Sequence, residues 1–299
     1  MADVSASILA KLKNKAKASN TSYQQCLQLF FQEEYLRRLS GSPFLNNFIL
    51  KGGLFIYTLT NFQSRATADI DFTLQRFDNT SERLDKIIAE IISVPTGLND
   101  IVILEAGKCV PISIHQEYQG LSCQITGKIK KVRVPFNIDI GIGDVIYPKP
   151  EKIKIQTQLE GFETPKVYMY SLESTIAEKF DAILQRFELT GRMKDFYDIY
   201  YLAQTFDFDG KKLSLALKKT LLNRKTDYNK ESFNHVLELA DNHDIQVRWR
   251  YFQKTINQTG LSLSEVMSLI DRFLHSVFDS LVLGEVNLNN WDAKLLEWK

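Results

Sequence analysis

Cysteine and histidine are scarce in this chain of 299 residues, and the few present are scattered. Cys26, Cys109 and Cys123 are odd in number and show neither a zinc-ligand spacing nor a disulfide framework. The expectation is therefore a reducing, cytoplasmic setting. His115, His235, His243 and His275 are equally dispersed, which gives little support to a histidine metal site or a Ser/His/Asp triad. No apolar run approaches the roughly 20 residues of a membrane span, and no signal peptide is visible, so no membrane partner is expected. Charge of one sign is also lacking. A net charge of +1 does not announce a nucleic-acid binder, although its distribution is uneven. Repeats and low-complexity tracts do not stand out.

What is present is an ordinary globular composition, 44% hydrophobic and 24% charged, long enough for one large domain or two of common size. The most informative stretch is Lys51–Phe72, KGGLFIYTLTNFQSRATADIDF. A Gly-Gly pair follows the apolar run Phe48–Leu50, read as a short buried strand, and Leu54–Thr60 fits a helix. The stretch closes on Asp69-Ile70-Asp71, read as part of a strand over Ala68–Leu74. Side chains alternate along a strand, so Asp69 and Asp71 point the same way and Ile70 points into the core. Two adjacent carboxylates repel unless a cation sits between them, and hard oxygen donors favour Mg²⁺ or Mn²⁺. Gly52 and Gly53 let backbone N–H groups approach a phosphate. Each signal alone has a bland reading: a chance Asp-x-Asp, and a tight turn.

Upstream, residues 1–19 read as a polar first helix and residues 21–39 as an amphipathic one, with Glu33, Glu34, Arg37 and Arg38 as its solvated face. Asn79 with Glu82 resembles a capping box opening a helix to about Ser93. Short β-like runs follow from Ile101 to Gly141. In the last of them Phe136, Ile138 and Ile140 oppose Asn137 and Asp139. Asp139 is thus a third carboxylate that could lie beside Asp69 and Asp71, or an exposed strand residue. Pro148, Pro150, Gly161 and Pro165 mark the best boundary, giving lobes 1–160 and 161–299.

Beyond it, Ser171 caps a helix whose apolar stripe passes beside Lys179, and a lysine there needs an anionic partner or snorkels at the core edge. Asp195 and Asp198 fall three apart on the next helix, expected to start near Lys194. The rest is helical. It is locally basic at Lys211, Lys212, Lys218, Lys219, Arg224, Lys225 and Lys230, and Arg248-Trp249-Arg250-Tyr251 interleaves cations with aromatics. That pattern suits an RNA-backbone groove or a solvated face.

Gly-Gly, a helix and Asp-x-Asp, in that order, resemble the nucleotidyltransferase signature. Lys-Gly-Gly…Arg65-x-Thr67-x-Asp-Ile-Asp-Phe, Ala-Glu-Lys179-Phe-Asp-Ala-Ile and Arg192-Met-Lys194-Asp195-Phe-Tyr-Asp198-Ile-Tyr together resemble the AbiEii/AbiGii toxins. The resemblance spans residues 48–200. It implies an α+β fold, with a nucleotidyltransferase-like N-terminal lobe built on a mixed β-sheet and a helical C-terminal lobe completing the active-site cleft. It implies catalytic roles for Asp69, Asp71, Lys179 and Asp195, and metal binding by Asp69, Asp71 and Asp139. Gly52, Gly53, Arg65, Thr67 and Lys179 would bind the nucleotide, with Asp198 in support. The implied activity is Mg²⁺- or Mn²⁺-dependent transfer from an NTP to RNA, a tRNA 3′ end, arresting growth in antiviral defence. A cognate antitoxin would be encoded nearby. The rival readings are transfer to a protein or small molecule, a non-catalytic NTP-binding protein, and a metal-dependent nuclease.

Overall fold

Helix α1 (Val4–Ala18) starts where the Asp3 carboxylate accepts the Ala6 N–H, and α2 (Tyr23–Ser40) starts at a capping box between Ser22 and Gln25. These and all later elements come from a computed structural model, which describes residues 3–19, 21–76, 80–98, 100–112, 120–186 and 192–299. The expected cap at Asn79 lies outside the described residues. The helix expected there takes Thr80 as its cap, whose hydroxyl accepts the Arg83 N–H. Two compact units divide the chain, one of Met1–Gly143 with Glu151–Tyr170 and one of Asp144–Pro150 with Ser171–Lys299.

The first unit continues through β1 (Phe48–Lys51), α3 (Gly52–Leu59), β2 (Ile70–Leu74), α4 (Ser81–Ser93), β3 (Ile103–Pro111), β4 (Leu121–Ile129), β5 (Val132–Ile142), β6 (Glu151–Lys154) and β7 (Lys166–Met169). Its seven strands form one mixed sheet in the order β3-β4-β5-β2-β1-β7-β6. The β2–β5 and β1–β7 pairs are parallel and the others antiparallel. Helix α2 packs on β5 and β7, and α3 on β1 and β2. The alternation expected of β5 is present, with Phe136, Ile138 and Ile140 buried and Asn137 and Asp139 half-exposed. Asp69, expected inside a strand, lies one residue ahead of β2.

Two expectations fail here. The charged face of α2 is not solvated: Glu33, Glu34, Arg37 and Arg38 are each less than 5% exposed. Glu34 accepts from Arg37 Nε at 2.8 Å and Arg38 Nε at 2.9 Å, and Arg38 reaches on to the Ile92 carbonyl and, at 2.8 Å, that of Val102. Opposite charges three and four apart pair along one helix, so burial is tolerated. Glu33 accepts the Gln158 N–H at 2.8 Å, and burial pushes its carboxyl up to about 8 against the opposing pull of Arg37. The second failure is the cysteine pattern. Cys109 on β3 and Cys123 on β4 fall in register as cross-strand neighbours and form a disulfide, while Cys26 is free and buried. Sequence spacing does not reveal strand register, so this pair was not visible.

The second unit is helical, as expected: α5 (Leu172–Arg186), α6 (Met193–Thr205), α7 (Gly210–Asn223), α8 (Ser232–Glu238), α9 (His243–Thr255) and α10 (Leu263–Val282). A small sheet of β8 (Phe208–Asp209), β9 (Asn290–Asp292) and β10 (Glu297–Trp298) joins them. Its core is aromatic. Phe180 meets Phe233 edge to face at 5.1 Å, and Phe273 meets Trp291 at 4.9 Å, each fully buried ring contributing roughly 1.5–3 kcal/mol. Among the described residues no helix is long and apolar enough to cross a membrane.

Candidate active site

The register of the large sheet assembles a row of side chains from four strands. Lys51 on β1 stands opposite Asp71 on β2, Asp71 opposite Asp139 on β5, and Asp139 opposite Ser122 on β4. Directly opposed residues share a face, so the row leaves the sheet on one side, and all four members are half-buried. Ser122 Oγ donates to Asp139 Oδ1 at 2.6 Å. At the row's end, Lys51 Nζ lies 5.6 Å from the centroid of the Tyr170 ring. Lys51 belongs to the Lys-Gly-Gly motif, and the strand pairing ranges it and Ser122 with the two carboxylates.

Gly52 follows Lys51 with a φ of +67°, in the left-handed region, and a Cβ there would collide with the Asp71 carboxylate. Glycine is thus required twice over, by conformation and by space. A Cβ on Gly53 would come within 2.9 Å of the Thr67 side chain and 3.5 Å of Arg65 Nη1, so these two residues of the loop before β2 flank α3's start. The N-cap of α3 is Lys51, whose side chain has donors only and cannot satisfy the helix's first N–H groups. Glycines without side chains, amides that no side chain caps and a lysine make this end suited to an anion.

Asp69 stands just outside the strand. The preceding turn is held by α2, where Gln28 and Gln32 both donate to the Ala68 carbonyl, Gln32 at 2.9 Å. Among the described residues no group of three or more His, Cys, Asp or Glu side chains is gathered to hold a metal ion. The Asp71–Asp139 pair nonetheless fits Mg²⁺, which is commonly bound through one or two carboxylates with phosphate oxygens completing its shell.

A second constellation lies within the helical unit. Lys179 on α5 is 9% exposed, and its ammonium sits 3.0 Å from Asp195 Oδ1 and 2.7 Å from Asp198 Oδ2, both on α6. Arg192, at the N-cap of α6, places Nε 3.1 Å from Asp195 Oδ2. The anionic partner required for a buried lysine is therefore a pair of carboxylates spaced by one helical turn. One member of the basic tract and one of the aromatics interleaved with cations serve the fold. Trp249 is buried, with its indole N–H on the Leu261 carbonyl, and Arg224 is enclosed by Asp144, Glu178 and Asp181.

The sequence profile of the family described as nucleotidyl transferase AbiEii toxin, type IV TA system, matches residues 34–275, well over half of the chain. The chain belongs to the AbiEii nucleotidyltransferase toxin family. The match takes in the Gly-Gly helix, the Asp71–Asp139 pair and the Lys179–Asp195 constellation together. No curated protein matches the sequence. Two crystal structures share the fold: a candidate nucleotidyltransferase from H. pylori (TM-score 0.53, 15% identity) and JHP933 from Helicobacter pylori (TM-score 0.51, 17% identity). Each comparison covers 88% of this chain and 99% of the other. This AbiEii-family chain is a nucleotidyltransferase, and membership of a type IV system implies an NTP substrate and an antitoxin partner.

Proposed function

We propose that this toxin transfers a nucleotidyl group from an NTP to a hydroxyl of RNA, a tRNA 3′ end, and thereby arrests growth as a form of phage defence. The observation that carries the reading is the row Lys51–Asp71–Asp139–Ser122 beside the glycine start of α3. Gly52, Gly53, Arg65 and Thr67 hold the triphosphate at the α3 amides, with Lys51 adding positive charge. Asp71 and Asp139, with Asp69 alongside, would hold Mg²⁺ or Mn²⁺, which when bound neutralises phosphate charge. Asp139, oriented by Ser122, accepts the proton of the attacking hydroxyl. The acceptor oxygen bonds to the α-phosphorus as the bond to the bridging oxygen breaks, and pyrophosphate leaves with that electron pair.

Lys179 contributes a cation to the same reaction, and its ammonium is oriented by Asp195 and Asp198. RNA is favoured as acceptor over a small molecule by the exposed lysines of α7, Lys211, Lys212, Lys218 and Lys219. The test incubates the protein with total bacterial RNA, Mg²⁺ and each α-labelled NTP, alongside Asp69→Ala and Asp71→Asn. Label entering a tRNA-sized band with wild type and not with Asp71→Asn supports the reading. Label in protein instead moves the acceptor to a side chain. Full transfer by both variants overturns the carboxylate roles.

A further inference from the structure

The first unit contains a cavity of about 180 Å³ that no step above uses, between α1, α2, the end of α3 and the loop before β2. It is smaller than the roughly 300–1,000 Å³ typical of pockets for drug-sized ligands, so it suits a ring system and not a whole dinucleotide. We propose that this cavity is the nucleobase pocket of the bound NTP and that it selects bases carrying an exocyclic amino group. The proposal rests on the transferase reading and deepens it.

Four amides line the cavity, from Gln25, Gln32, Gln158 and Asn61. Three of them are fixed by one end. Gln32 Nε2 donates to the Ala68 carbonyl at 2.9 Å, Gln158 Nε2 to the Cys26 carbonyl at 2.8 Å, and Gln25 Oε1 accepts the Ser22 N–H at 3.1 Å. Their opposite ends have no protein partner among the described residues. This leaves two carbonyl oxygens and one NH₂ on lining side chains whose other ends are fixed, and two acceptors match the donors of an amino group. The remaining wall is apolar or held neutral. Burial pushes both the Cys26 thiol and the Tyr57 phenol up, and no carboxylate lines the space. Among the described residues Lys15 is its one charged lining residue, which disfavours a cationic ligand.

Backbone conformation points the same way. Asn61 and Phe62 are consecutive non-glycine residues with φ of 51° and 64°, and both line the cavity. Left-handed residues of this kind end helices and also recur at ligand clamps, and here they hold the cavity wall. The Phe62 N–H closes on the Tyr57 carbonyl at 2.8 Å and its ring meets Tyr57 edge to face at 5.2 Å, which sets an aromatic wall beside the amides. The cavity also touches the phosphate end of the site. Thr67 lines it, and the same side chain lies where a Gly53 Cβ would come within 2.9 Å.

Equilibrium binding of CTP, ATP, GTP, UTP and inorganic tripolyphosphate to the full-length protein tests the assignment. Wild type binds the amino-bearing NTPs about tenfold or more tighter than UTP, a difference of about 1.4 kcal/mol. Ala66→Phe, which fills the cavity, weakens every NTP about tenfold and leaves tripolyphosphate within about twofold. Asn61→Gly keeps the left-handed turn, removes one amide, and narrows the gap to UTP. NTP affinities unchanged in a folded Ala66→Phe protein overturn the pocket and leave the transferase reading standing. UTP bound as tightly as the others overturns the amino-group selectivity. A wild type that binds neither NTP nor tripolyphosphate overturns the phosphate cradle, and the pocket with it.

Discussion

Gly52 shows how one missing side chain can hold a site together. Its φ of +67° costs an L-residue about 1–2 kcal/mol, and any Cβ strikes the Asp71 carboxylate. Gly52→Ala should therefore lower transfer by roughly 10²-fold, the cost of displacing a reacting group by about 1 Å, with a smaller loss of thermal stability. Gly53→Ala, whose nearest contact is a Thr67 side chain at 2.9 Å, should be milder; the comparison is a turnover assay beside a thermal melt. Ser122→Ala removes the 2.6 Å hydrogen bond that orients Asp139. Single-turnover rates should drop roughly tenfold while NTP affinity stays near wild type. Equal losses in both would make Ser122 a binding residue instead.

Glu33 gives a prediction in pH. Its folded pKa of about 8 exceeds the unfolded value near 4.5, so the native state holds a proton that the unfolded chain has released. Stability therefore falls as pH rises from about 4.5 to 8, by up to about 1.4 kcal/mol per unit, and levels off above. Glu33→Gln keeps an acceptor for the Gln158 N–H without the ionisation. Its melting temperature should exceed that of wild type increasingly as pH rises through this window. Parallel pH profiles would mean that Glu33 is ionised in the folded state.

At the scale of elements, the second unit is clasped by Arg224, which lies at the C-terminal end of α7. Its Nη2 reaches Asp144 at 2.8 Å and Glu178 at 3.2 Å, and its Nη1 reaches Asp181 at 3.1 Å. Burial alone would lower the guanidinium's pKa, but Glu178 and Asp144, then Asp181, raise it further. Arg224→Leu leaves the buried Asp181 uncompensated and should cost about 3–5 kcal/mol, read by chemical denaturation. This clasp explains why the basic tract was only partly legible. A guanidinium that neutralises acids from distant segments looks, in sequence, like one that awaits a phosphate. The same ambiguity hid the Glu34–Arg37–Arg38 group, whose helical spacing is identical whether the face meets water or a sheet. Long apolar stripes, the glycine pair and the Asp-x-Asp carry local signals and were readable. The Lys51 and Ser122 partners, the cysteine pair and the two- and three-residue strands β8–β10 depend on register or lie below any periodicity, and were not.

At the scale of the whole molecule, the family match runs through both units, and the transferase reading has Asp71 and Lys179 serving one reaction. Groups that act together in one step do not lose rate additively. The double variant Asp71→Asn/Lys179→Ala should be about as slow as the worse single variant, measured as label transferred per unit time. Multiplying defects would mean that the two act in separate steps.

The path of the chain between its units carries a further consequence, for inheritance and biosynthesis. Asp144–Pro150 belongs to the second unit, yet Glu151–Tyr170 returns to the first before the helices begin at Leu172. Asp144, Tyr147 and their partners on α5 and α7 are thus separated by a two-strand detour: Ser171 and Ser174 donate to the Tyr147 carbonyl, and Arg224 grips Asp144. A gene broken at the helical boundary would strip the second half of its seven-residue graft, and a ribosome delivers that graft before the helices it fastens. A cut at the helical boundary therefore does not yield two self-contained modules.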